Sequence, residues 1–90
     1  MKITQKVMVS NKSGLNVKAC ILLSNVARHF ACDLEIADGS RKANPKSLLG
    51  LLTIASPLGT KLEISAEGAH AKTAILTLSH LFDAKFGDVE

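Results

Sequence analysis

The chain has no tryptophan and no tyrosine, and its only aromatic residues are three phenylalanines. Single-stranded nucleic acid is gripped by stacking bases on aromatic rings along a basic groove. Here the rings are missing, the lysines and arginines are scattered, and the net charge is only +3. Nucleic-acid binding is therefore not expected. Cysteine is also scarce. Cys20 and Cys32 form no Cys-x-x-Cys pair and have no histidine at ligand spacing, so neither a zinc site nor any other metal or cofactor site is expected. Both thiols are expected to be reduced, buried and structural.

Long hydrophobic runs are absent as well. The greasiest stretch, "LLGLLTIA" from Leu48 to Ala55, is far too short to cross a bilayer. The opening "MKITQKVMVS" alternates polar and apolar residues rather than forming the continuous apolar core of a signal peptide. The expectation is a cytoplasmic protein without a membrane partner. Repeats, linkers and low-complexity segments are missing too, and ninety residues suit one domain over 1–90. With 47% hydrophobic and 21% charged residues the chain is composed to fold, around a core of Leu, Ile, Val and Ala.

What is present is a regular alternation of periods. Ile3, Val7 and Val9 give a strand with one wet face, and "SNKSG" at 10–14 is loop chemistry. Cys20, Leu23, Ala27 and Phe30 fall on one face of a helix over Val17–Phe30, with Asn16 as its N-cap. "CDLEIA" at 32–37 is a strand pointing Leu34 and Ile36 inward. "DG" at 38–39 predicts a hairpin returning through Arg41–Ala43. Pro45 ends the pairing, and Ser47 can cap a helix over Leu48–Ala55. "SPLG" at 56–59 is a turn, and "KLEISA" at 61–66 is a strand pointing Leu62 and Ile64 inward. Ala69–Phe86 is a long amphipathic helix carrying Ala71, Ala74, Ile75, Leu78, Leu81 and Phe82. The order β-α-β-β-α-β-α, with one apolar face per element, predicts an α+β open-faced sandwich. Its four-stranded antiparallel sheet is covered on one face by three helices.

Three stretches carry a family resemblance: "SGLNVKA" at 13–19, "ANPKSLLGLLTIAS" at 43–56 and "GTKLEISAEG" at 59–68. Together they resemble the HPr family, the histidine-containing phosphocarriers of the bacterial phosphotransferase system of sugar transport. In that family the first stretch reads Gly-Leu-His-x-Arg-Pro-Ala, and its His relays phosphate from enzyme I to sugar-specific proteins. Aligned on Gly14 and Leu15, the resemblance puts Asn16 at the His position, Lys18 at the Arg position and Ala19 at the Pro position. An amide nitrogen, its lone pair delocalised into the carbonyl, is no nucleophile at neutral pH. Lys18 keeps the charge but lacks the planar fork that grips phosphate. The active loop is thus expected to be degenerate, with no catalytic residue.

No other residue is a good substitute. Cys20 is placed on the apolar stripe, His29 at a helix end where a cation suits the dipole, and His70 and His80 on the surface. Ser47 has two readings. It is either a plain helix cap or, as the resemblance implies, a regulatory site for a serine kinase, with Lys46 beside it. The catabolite-repression protein Crh, an HPr relative lacking the active His, follows the second logic. "NK" before the loop and "ISAEG" are features shared with nitrogen-branch members, so the branch stays open. The family's docking face maps to Val17, Lys18, Ile21, Arg28, Lys46, Leu48, Leu49 and Leu52, some of whose leucines must belong to the core. The implied partners are enzyme I, sugar- or nitrogen-branch IIA proteins, or a transcriptional regulator. The expectation is a non-catalytic regulatory module. Two alternatives are a carrier that uses another residue and a diverged interaction domain outside the phosphotransferase system.

Overall fold

A computed structural model describes residues 2–87. The elements run β1 (Lys2–Met8), α1 (Val17–Ala27), β2 (Asp33–Asp38), β3 (Arg41–Ala43), α2 (Leu48–Leu52), β4 (Lys61–Glu67), α3 (Ala71–Asp83) and a closing 3-10 turn (Lys85–Gly87). The sheet is antiparallel in the order β1-β4-β2-β3, with Val7 opposite Leu62 and Ile36 opposite Ile64. Leu34, Ile36, Leu62, Ile64 and Ala66 are buried on one face. They meet Cys20, Leu23 and Ala27 of α1, Leu51 of α2, and Ala74, Ile75, Leu78 and Phe82 of α3. Period-two strands and period-3.6 helices each have one apolar side to hide, and stacking the two layers hides both. The predicted α+β open-faced sandwich is the observed fold.

Several element ends differ from expectation, each for a local reason. The first helix stops at Ala27 rather than Phe30, because the His29 and Phe30 amides bond three residues back, to Val26 and Ala27. Phe30 still packs against the core from this turn. The second helix stops at Leu52 rather than Ala55 for the same reason: Thr53 and Ile54 bond back to Gly50 and Leu51, which drops Ile54 into the core. The third begins at Ala71 rather than Ala69. Gly68 and His70, both with positive φ, turn the chain before it can wind. It also ends at Asp83, leaving Phe86 in the closing turn. The hairpin register pairs Asp38 with Arg41, so the two turn residues are Gly39 and Ser40 rather than Asp38 and Gly39. Gly39 supplies the positive φ, at 60°, that the turn requires.

Candidate functional site at two helix starts

The loop from Ser10 to Asn16 is held from three sides. Asn11 is fully buried and its Nδ2 donates to the Gly14 carbonyl at 2.6 Å, while the Gly14 amide donates back to the Asn11 carbonyl at 3.1 Å. The Leu15 amide donates to the Ser56 carbonyl at 2.7 Å, and the Leu15 side chain is buried in the core. Gly14 makes this approach possible. Its φ is 73°, and a Cβ placed there would lie 2.4 Å from the Ser56 carbonyl oxygen.

Asn16 follows with an extended backbone, and its Oδ1 accepts from the Ala19 amide at 3.0 Å. The Asn16 carbonyl accepts the first helical bond from Cys20. This is the N-cap that the sequence predicts, and it answers one of the amides that a helix start leaves without an intrahelical partner. Cys20 is completely buried, and burial pushes its thiol pKa above the ordinary value. A thiol held in its neutral form is a poor nucleophile. His29, His70 and His80 are exposed, on the turn after α1, at the start of α3 and near the end of α3. His29 Nδ1 donates to the Asn25 carbonyl at 2.8 Å, so it closes the end of α1 from two residues beyond it.

Ser47 starts α2 in the same manner. It is exposed, and its Oγ accepts from the Gly50 amide at 3.1 Å. Lys46 does not reach toward it: the ammonium group donates to the Cys32 carbonyl at 2.7 Å, pinning α2's approach to the turn before β2. The two helices pack against each other. Val17, Ile21 and Leu49 are 58%, 42% and 77% exposed, large fractions for apolar side chains, whereas Leu48 and Leu52 are half-buried against the core and Leu51 is wholly within it. Lys18 on α1 and Arg28 just beyond its end are exposed.

One electrostatic feature escaped the residue-by-residue reading although the sequence holds it. The first carboxylate of the chain is Asp33, and none occurs between Gly39 and Leu62. The loops before α1 and α2, and both helices, therefore hold no carboxylate, while Lys18 lies on α1, Arg28 just after it and Lys46 just before α2. Asp33, Glu35, Glu63 and Glu67 lie on the strands. A surface of one sign attracts partners of the other and speeds their approach. Among the described residues no group of His, Cys, Asp and Glu could hold a metal ion, and no helix is long and apolar enough to cross a membrane.

Comparison with known proteins gives the family. The family model described as the PTS HPr component phosphorylation site matches residues 3–84. The chain belongs to the HPr family, the phosphocarriers of the phosphotransferase system. It is 32% identical to the phosphocarrier protein NPr of Shewanella violacea, over 97% of this chain and 96% of that protein. Its fold superposes on HPr of Thermoanaerobacter tengcongensis with a TM-score of 0.92 and 27% identity, covering 98% of this chain and 99% of the other. Crh, the catabolite-repression protein of Bacillus subtilis, matches with a TM-score of 0.73 and 29% identity, over 92% and 95% of the two chains. HPr and NPr proteins are carriers that work by contact with other phosphotransferase components, rather than enzymes in the usual sense.

Proposed function

We propose that this HPr-family chain is a single regulatory or partner-binding domain rather than a phosphate carrier. In this reading Asn16 occupies the position of the phospho-accepting His. The observation that carries it is the 3.0 Å bond from the Ala19 amide to Asn16 Oδ1. The Asn16 side chain is engaged as a cap, and the bond needs an N–H at position 19 that the family's proline would not supply. His to Asn and Pro to Ala are then one coupled change: the loop exchanges a nucleophile for a helix cap. The thiol one helical turn further on, Cys20, is buried and neutral and does not replace it.

The docking face remains. Val17, Ile21 and Leu49 form its apolar part, with Lys18 and Arg28 as its charged part, and the absence of carboxylates on both helices suits an acidic surface such as enzyme I, a IIA protein or a regulator. Ser47 is the proposed switch, exposed beside Leu49 and open to a serine kinase in the cytoplasm. Its phosphate would carry about −1.5 to −2 charges beside amides at a helix start, a placement that the fold tolerates. The same charge would have to be desolvated by any partner that covers Leu49.

The test pairs stability with affinity, titrating native protein and Ser47→Asp with enzyme I and with IIA proteins. Native protein should bind at least one of them, with affinity falling as salt rises. Ser47→Asp should melt within about 4–8 °C of native, a shift equivalent to roughly 1 kcal/mol for a domain of this size, yet bind that partner clearly less well. A much larger fall in melting temperature would mean that Ser47 cannot carry a charge in the folded protein. Equal affinity of the two proteins would leave Ser47 a plain cap, and no binding to any component would remove the phosphotransferase role.

A further inference from the structure

Lys85 and Phe86 are consecutive residues with left-handed backbones, at φ of 56° and 53°. That region is unfavourable for L side chains, and such strain persists only where the surroundings impose it. One such contact is made by the Phe86 ring, 6% exposed, which meets Phe82 edge-on with centroids 4.8 Å apart. The turn is closed by the Gly87 amide on the Ala84 carbonyl at 3.0 Å. Strain drives the segment outward, and burial of one phenylalanine draws it in. A segment held by such opposed terms can exchange between a closed and an open arrangement.

The closed arrangement reaches the Asn16 loop through a continuous set of bonds. Ser10 Oγ donates to the Phe82 carbonyl at 2.8 Å, a bond that ties the loop to the end of α3. Next to Ser10, buried Asn11 and Gly14 bond each other in both directions, and the Asn16 amide donates to the Gly14 carbonyl at 2.9 Å. The last member of the series is the Asn16 cap itself.

We propose that residues 84–87 are a latch for the Asn16 loop. When Phe86 is seated, Phe82 is fixed, its carbonyl holds Ser10, and the loop keeps its cap-forming shape. When Phe86 leaves, Lys85 and Phe86 relax their backbones, the Ser10 bond loosens and the loop opens while the sheet stays folded. The inference stands apart from the proposed function, since it needs neither a partner nor the history of position 16.

Amide hydrogen exchange on the full chain under native conditions reads this directly. Phe86→Ala should speed exchange at Gly14, Leu15 and Asn16 by on the order of tenfold, while Ile36 and Ile64 in the sheet change by less than about threefold. Ser10→Ala should speed the same loop amides and, because a coupling is reciprocal, those of Ala84 and Gly87 by a similar factor. Unchanged loop exchange in Phe86→Ala would overturn the latch, as would a rise of equal size in the sheet, which means global destabilisation alone. If Phe86→Ala does not fold, Ser10→Ala decides alone: unaltered loop amides would show that the tie to Phe82 transmits nothing.

Discussion

Changing Asn16→His, Lys18→Arg and Ala19→Pro together is expected to let enzyme I and phosphoenolpyruvate place acid-labile phosphate on the chain, at least about tenfold faster than Asn16→His alone. The reason is the Ala19 amide. It now donates to Asn16 Oδ1, and a histidine at the same cap would offer it a ring nitrogen instead. That nitrogen's lone pair is the one that must attack phosphorus, and a net hydrogen bond of about 1–1.5 kcal/mol holding it back corresponds to roughly a tenfold slower reaction. Ala19→Pro removes the donor, and Lys18→Arg restores a fork that grips phosphate through two parallel bonds. The variant Asn16→His with Ala19→Pro should recover most of the gain. Equal transfer rates for the single and triple variants would show that the amide at position 19 does not govern the loop.

Gly14→Ala is expected to be the most damaging of the conservative substitutions. A left-handed alanine costs about 1–2 kcal/mol on its own. The added Cβ would also fall 2.4 Å from the Ser56 carbonyl oxygen, a backbone atom that cannot swing aside. Relieving that clash separates the loop from Ser56 and breaks the 2.7 Å bond from the Leu15 amide, which adds about 1–3 kcal/mol if the groups stay buried and unpaired. The sum of roughly 2–5 kcal/mol should lower the melting temperature by about 10 °C or more. Gly39→Ala is the control: its φ is 60°, but nothing lies within 4 Å of the added Cβ, so only the backbone cost of about 1–2 kcal/mol applies. Similar losses for the two variants would mean that the loop is not clamped on Ser56.

The element order was legible because each element hides one apolar face, and the spacing of Leu34 with Ile36, or of Leu78 with Phe82, survives any local irregularity. The element ends were not, because the last turns of α1 and α2 tighten to three-residue bonds while Phe30 and Ile54 still reach the core. Periodicity sees the burial and misses the change of bond. At the site, the caps at Asn16 and Ser47 could be read from residue type alone. The partner of the Asn16 cap belongs equally to position 19, and reading it required the geometry. Adjacency to Ser47 suggests Lys46 as its charge partner, whereas the long Lys46 side chain spans to the Cys32 carbonyl. The clamp of Gly14 on Ser56 and the tie of Ser10 to Phe82 join residues distant in sequence, for which no local pattern exists.

As proposed, the Asn16 loop is a helix cap rather than a phosphate acceptor. That proposal is tested most directly by incubating the native chain with enzyme I and phosphoenolpyruvate, beside a phosphocarrier HPr as positive control, and locating any phosphate by intact mass and peptide mapping. The mass of this chain should stay unchanged while the control is phosphorylated. Acid-labile phosphate on the native chain, at Asn16 or any other residue, would contradict the proposal and make the protein a carrier.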